Sequence, residues 1–190
     1  MDRDQALAIV REHIDAESLV NHMLAVEAAM RAYAPDFGGD ADEWGLAGLL
    51  HDYDWEIHPT LEEHPQAGAS LLRARGTPES VVRCILSHAE HTGVPRSTPM
   101  EKALYACDEI TGLITAVTLV RPSKAIADVT VKSIKNKWKD KAFAAGAKRG
   151  EMEAAAGEFG VELWEHVGNV LAAMQAQAAE LGLKGVQTTS

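Results

Sequence analysis

Trp44-Gly45-Leu46-Ala47-Gly48-Leu49-Leu50 is an unbroken apolar run, and it ends on His51-Asp52. A helix of this composition is buried on nearly all sides. An imidazole and a carboxylate at the end of a buried helix are costly unless something pairs with them. A divalent metal does this well, through an imidazole nitrogen and a carboxylate oxygen. Successive helical residues point about 100° apart, so both side chains reach a common ion only where the helix stops. The stretch Tyr53 to Pro59 supplies that stop.

Working outward, the apolar period stays helical and strand-like alternation is almost absent. Ser18 is a cap for a helix over 19–34, with Leu19, Met23, Val26 and Met30 on one stripe. Asp42 is the expected cap of the apolar run. Thr60 and Glu63 have capping-box spacing for a helix through about Arg75. Thr77-Pro78 and Thr98-Pro99-Met100-Glu101 open two more helices, the second running to about Val120. The pattern predicts an all-α fold, a bundle of about seven to nine helices. It occupies 1–183 as one domain: a core at 18–120, a basic segment at 121–149 with a helix over 130–145, and C-terminal helices at 150–183. The amphipathic helices at 150–181 are a surface through which a homodimer could form. The small, polar tail 184–190 is expected to be disordered.

The chain has 190 residues, 46% hydrophobic and 24% charged, enough to bury a core without disulfides or structural metal. Its longest apolar stretch, around Leu113 to Val120, is too short for a bilayer, and Met1-Asp2-Arg3-Asp4 has no signal-peptide pattern. Cys84 and Cys107 fall in helical apolar patterns at no metal or redox spacing. Buried, reduced thiols in a cytoplasmic protein are the expectation. The net charge of −10 is uneven. Residues 1–120 carry −12, 121–149 carry +7 and 150–190 carry −5. An acidic chain disfavours nucleic acid as the main partner. The basic block is a phosphate-contact candidate, with Lys124 first, then Lys132 and Lys135, if it folds back over a pocket. A solvated helix face explains the same lysines.

Other polar residues interrupt apolar stretches. His22 precedes Met23, His64 precedes Pro65, His88 follows Val81, Val82, Ile85 and Leu86, and Asp108 sits within Leu104-Tyr105-Ala106-Cys107-Asp108. Each has an ordinary explanation alone: a core-edge histidine, an N-terminal helix residue, an exposed imidazole, a carboxylate paired with arginine. Together His22, His51, Asp52, His64, His88 and Asp108 make enough N/O ligands for two metals with Asp52 bridging. His91 is one turn from His88 and is expected just outside such a shell. Asp54 and Glu56, within a turn of Asp52, could orient water or protonate a leaving group. An acidic solvated loop accounts for them equally, and is preferred for Glu56.

The order His22, His51-Asp52, His64-Pro65-x-x-Gly68-Ala69, His88 and Asp108 resembles the HD-domain superfamily of metal-dependent phosphohydrolases. Gly48-Leu49-Leu50-His51-Asp52 resembles its signature helix, and Pro99-x-Glu101-Lys102-Ala103-Leu104-x-x-x-Asp108 its last ligand helix. The stretches Leu119 to Lys124 and Lys141 to Ala144 further resemble a small HD hydrolase subgroup. The resemblance implies His22, His51, Asp52 and Asp108 as ligands of one metal, with His64 and His88 completing a second site. Two departures stand out. Many members have Gly-Lys after His-Asp, where this chain has Tyr53-Asp54, and many have a second histidine where it has Ala89. The expected activity is hydrolysis of a phosphoester of a small, nucleotide-like molecule. The cofactor would be one or two divalent ions (Mn, Fe, Co, Ni, Zn or Mg), with His-rich ligation favouring transition metals over Mg. An HD-fold diiron oxygenase and a non-catalytic metal- or nucleotide-binding module are the alternatives.

Overall fold

The computed structural model describes residues 1–186, which contain nine α-helices and no strand. They are α1 (Arg3–His13), α2 (Glu17–Tyr33), α3 (Ala41–Leu50), α4 (Gln66–Ala74), α5 (Glu79–Ser87), α6 (Pro99–Leu119), α7 (Val131–Lys139), α8 (Arg149–Phe159) and α9 (Leu163–Ala176). The all-α expectation and the helix number hold. No helix among the described residues is long and apolar enough to cross a membrane.

Helix α6 is the axis. Pro99 stands in its first turn, and Thr98 and Glu101 form a reciprocal capping box there. Its buried residues, among them Leu104, Ile110, Ile114 and Val117, face neighbours on several sides. Helices α2, α5, α8 and α9 pack around it. Helix α2 also runs against α3, and glycine sets how closely. A Cβ added at Gly48 would lie 2.8 Å from the backbone of Glu27, and one at Gly45 would lie 2.7 Å from the Arg31 guanidinium. Only glycine at 48 lets the two backbones meet. That contact brings His22 of α2 beside the end of α3.

The ion pairs behind this crossing centre on one buried carboxylate. Glu27, only 3% exposed, accepts from Arg3 Nε at 2.6 Å and lies 3.8 Å from Arg31. At the other side of α6, buried His166 of α9 joins three elements. Its Nδ1 accepts from the Tyr33 hydroxyl at 2.7 Å, and its Nε2 donates to the Ala106 carbonyl at 2.9 Å. Burial holds its pKa below the ordinary imidazole value, so the neutral ring is the folded form. Cys84 and Cys107 are buried and unpaired.

Several boundaries differ from the sequence expectation. Helix α2 begins at Glu17, placing Ser18 inside the first turn. The N–H groups of Asp15 and Ala16 are held by the Glu56 carboxylate, at 2.8 and 3.0 Å. Asp40, not Asp42, caps α3, accepting from the N–H groups of Asp42 and Glu43. Helix α4 starts at Gln66, because the residue before a proline is disfavoured in helical conformation and His64 precedes Pro65. The basic helix stops at Lys139, where Asp140 accepts from Ala142 and Phe143 N–H in a turn. Arg149 secures that turn, donating to the carbonyls of Trp138 (2.9 Å), Asp140 (3.1 Å) and Phe143 (2.7 Å).

The expected disorder at 184–190 is corrected for its first part. Leu181 and Leu183 are buried, Ile126 N–H donates to Leu183 O, and Val186 N–H donates to Ser123 O at 3.0 Å. Lys184 therefore pairs with Ala125 in an isolated bridge. The two apolar anchors draw the following backbone onto an open edge of the α6–α7 connection. Residues 187–190 lie outside the described residues. The apolar residues of α8 and α9, including Met152, Phe159, Val170 and Met174, are buried within the chain.

Candidate metal centre

Helix α3 ends at His51, and the chain then turns through Asp52 to Thr60, with Trp55 N–H donating to Asp52 O at 3.0 Å. This break frees consecutive side chains to face one point, as the apolar run predicted. His51 is fully buried. Its Nδ1 donates to Gly48 O at 2.8 Å, which leaves the Nε2 lone pair facing the centre.

Two triads assemble there. In the first, His22 Nε2 lies 2.9 Å and His51 Nε2 3.6 Å from Asp108 Oδ1. In the second, His64 Nε2 lies 3.2 Å and His88 Nε2 3.6 Å from Asp52 Oδ1, and the two nitrogens are 3.4 Å apart. Asp52 joins them. Its other oxygen, Oδ2, is 3.3 Å from His51 Nε2 and 4.0 Å from His22 Nε2. Within each triad the donor atoms lie within 4.8 Å of one another, close enough for one ion to touch all three.

Every ring is oriented from behind. His64 Nδ1 donates to Asp54 Oδ1 at 2.7 Å, His88 Nδ1 to Ile85 O at 2.5 Å, and His22 Nδ1 to Thr111 Oγ1 at 3.4 Å. The Thr111 proton goes to Asp108 O, which leaves its oxygen free to accept. With Nδ1 committed, all four histidines present Nε2 inward, the arrangement of ligating imidazoles.

The electrostatics ask for positive charge. Burial opposes a charge on His51, but Asp52 and Asp108 outweigh it and hold its pKa well above the ordinary value. Burial likewise opposes a charge on His64, but Asp52 and Asp54 raise it to about 9. Asp52, against its burial, is held well below the carboxylate range by His51, His64 and His88. Four imidazoles and two carboxylates suit first-row divalent ions. The Nε2 of His51 gives the sharpest sign of fit, since it is buried with no hydrogen-bond partner.

The six expected ligands thus converge. Other expected residues do not join them. Asp54 is fully buried under Gly68, whose N–H it accepts at 3.1 Å, and its remaining oxygen holds His64. It positions a ligand and does not face solvent water. A Cβ at Gly68 would lie 2.5 Å from that carboxylate. Glu56 points to the start of α2 and does not line the cleft. His91 donates to the His64 carbonyl at 2.8 Å and belongs to neither triad. Lys124 and Lys132 also fall away from the cleft. Lys124 is exposed in the turn after α6, and Lys132 is exposed at the start of α7. Helix α7 packs by Ile134 and Trp138 on the far end of α6 and on α9, with Lys135 over the Trp164 ring.

A cleft of about 490 Å³ opens from the triads, exposing Asp52, His64, His88 and Asp108 at its base. The reading of the sequence missed its walls. Lys148, which precedes α8, and Glu151 in its first turn line one part, and Trp55, Leu61 and Tyr105 line others. Lys148 is the cation this cleft presents, and no motif in the sequence tied it to His51-Asp52.

The chain is an all-α bundle carrying two His/Asp triads that could hold metal ions. The HD-domain family model matches residues 19–113. The chain belongs to the HD-domain family, as the motifs implied, a superfamily of metal-dependent phosphohydrolases. No curated protein and no solved structure matches the chain.

Proposed function

We propose that this chain is a metal-dependent phosphohydrolase, cleaving a phosphoester of a small molecule with water. One observation carries the reading: the two oxygens of Asp52 face separate triads, so a single carboxylate would serve both if each held an ion. When bound, divalent ions polarise a phosphoryl oxygen and lower the pKa of a water molecule. His22, His51 and Asp108 would hold one ion, and His64 and His88 the other, with Asp52 shared. Asp54 keeps His64 in the tautomer that offers Nε2 inward, and the carbonyls of Gly48 and Ile85 do the same for His51 and His88. Asp108 and the bridging Asp52 stand at the base of the cleft, where a phosphoryl group can reach them. Lys148, paired with Glu151, stands on the cleft wall, which Lys124 and Lys132 do not line.

The test is metal analysis of protein purified without chelator, with a phosphoester panel run on wild type and Asp52→Ala under several divalent metals. The expected result is near-stoichiometric transition metal in wild type, metal-dependent phosphate release, and loss of both in Asp52→Ala. Equal rates in the two proteins, or no release with any metal, overturns the reading. Bound iron with dioxygen uptake on substrate addition replaces it with an oxygenase.

A further inference from the structure

The base of the cleft and its walls differ in charge. The base is marked as a ligand site independently of the walls, by the orphaned Nε2 of buried His51 behind Asp52 and Asp108. Beyond the ligands, the walls bring three carboxylates, Glu90, Glu109 and Glu151, against the one cation Lys148. That lysine is already answered, its Nζ lying 3.1 Å from Glu151. Glu90 accepts from the Tyr105 hydroxyl at 3.4 Å and lies 3.5 Å from the Arg96 guanidinium. Glu109 has Asp108 and Glu151 as acidic neighbours and Lys148 and His22 as basic ones, but it forms no ion pair among the described residues.

Aromatic faces accompany the carboxylates. Tyr105 already holds a cation, with the Arg96 guanidinium 3.7 Å above its ring. Trp55 meets His64 edge-on at 4.9 Å and keeps 37% of its surface exposed. A partly exposed aromatic ring in a cleft whose wall carboxylates outnumber its lysines is a combination that attracts organic cations. Charge of the opposite kind fares badly there. A diphosphate or triphosphate tail extending from the base would run against three carboxylates and a lysine already paired.

Resting on the phosphohydrolase reading, we propose that the cleft selects phosphomonoesters whose alcohol part carries an ammonium group, and rejects polyphosphates. The phosphoryl end lies at the triads. The ammonium end lies between Glu109, Glu151 and the Trp55 ring.

The experiment compares size-matched substrates on metal-loaded wild type: phosphoethanolamine against ethylene glycol monophosphate, and a nucleoside monophosphate against its triphosphate. p-Nitrophenyl phosphate serves as the charge-free control. The expected kcat/KM ratio favours the ammonium ester by roughly tenfold, as a few partly exposed charge and cation–π contacts allow. The monophosphate is expected to exceed the triphosphate. Glu109→Gln and Glu151→Gln each narrow the ammonium preference, and Glu109→Lys reverses it. Calorimetry gives a reading without turnover: aminoethylphosphonate binds tighter than ethylphosphonate to wild type, and the gap closes in Glu109→Gln. Equal or reversed preference in wild type, or a preference untouched by all three substitutions, overturns the proposal. No hydrolysis of any ester, the control included, instead defeats the phosphohydrolase reading beneath it.

Discussion

The two triads share one aspartate and little of their construction. His22, His51 and Asp108 stand on α2, the end of α3 and the middle of α6, three helices locked by backbone contact and a continuous core. His64 stands in a turn and His88 at the C-terminal cap of a nine-residue helix. The first triad takes its geometry from packing. The second takes its geometry from hydrogen bonds, chiefly the Asp54–His64 contact. Packing resists displacement because many side chains would have to move together. A hydrogen-bonded turn depends on a few partners, so the second ion is expected to exchange more readily than the first.

Substitutions can break or sharpen that contrast. The largest effect is expected from Asp52→Ala, which removes the shared carboxylate and leaves both triads incomplete. Metal content should fall at both sites and phosphoester turnover by on the order of a thousandfold. Asp54→Asn tests the second triad alone. The amide cannot accept from His64 as a carboxylate does while also accepting from Gly68, and a loss of about 10- to 100-fold in affinity or activity follows. Metal analysis should show one ion retained and one weakened. If both are lost together, the two triads are not separately supported.

Gly48→Ala tests the first triad through packing. Its new methyl group meets Glu27 backbone, which cannot swing aside, and the expected cost is about 1–3 kcal/mol. Thermal melting reads the cost, and the first ion should be affected more than the second. The support behind Asp108 is pH-sensitive by way of His166. Its folded pKa is depressed below the ordinary imidazole value of 6.5 by burial, so the unfolded chain binds the proton more readily. Its contribution to stability is complete above pH 6.5 and is lost as pH falls through the depressed folded value. Melting of wild type should therefore drop more steeply on acidification than melting of His166→Gln. The smallest effect is expected from Lys124→Ala and Lys132→Ala, which touch neither triad nor cleft. Their kcat/KM should stay within about twofold of wild type, as for surface sites with no partner in the reaction.

The contrast also explains what was legible beforehand. The candidate ligands could be read because each is a polar residue in an apolar context, a cost that sequence displays without structure. The helices were legible from their apolar period, and the Thr98–Glu101 start of α6 with them, but other caps were not. Asp40 rather than Asp42 holds α3, and a carboxylate 40 residues away in sequence holds Ala16. Asp54 and Glu56 look interchangeable in a linear chain. Their separate tasks depend on Gly68 leaving room for one and on α2 lying within reach of the other. Within the basic segment the sequence favours Lys124 and Lys132, yet Lys148 is the lysine on the cleft, because charge says nothing about placement. Ile134 and Trp138 determine which end of α6 receives α7, and only then does the distance from its lysines to the cleft become fixed. Lys148 was overlooked for the converse reason: nothing around it in sequence sets it apart from its neighbours.

Gly48 never meets a ligand, yet it governs the gap between two of them. Three residues before His51, it sets how near α2 comes to α3, and so the bite His22 and His51 offer an ion. Ions of different radius prefer different bites. A lineage of such proteins could thus change its preferred metal by exchanging a spacer in the bundle, with every coordinating side chain left in place.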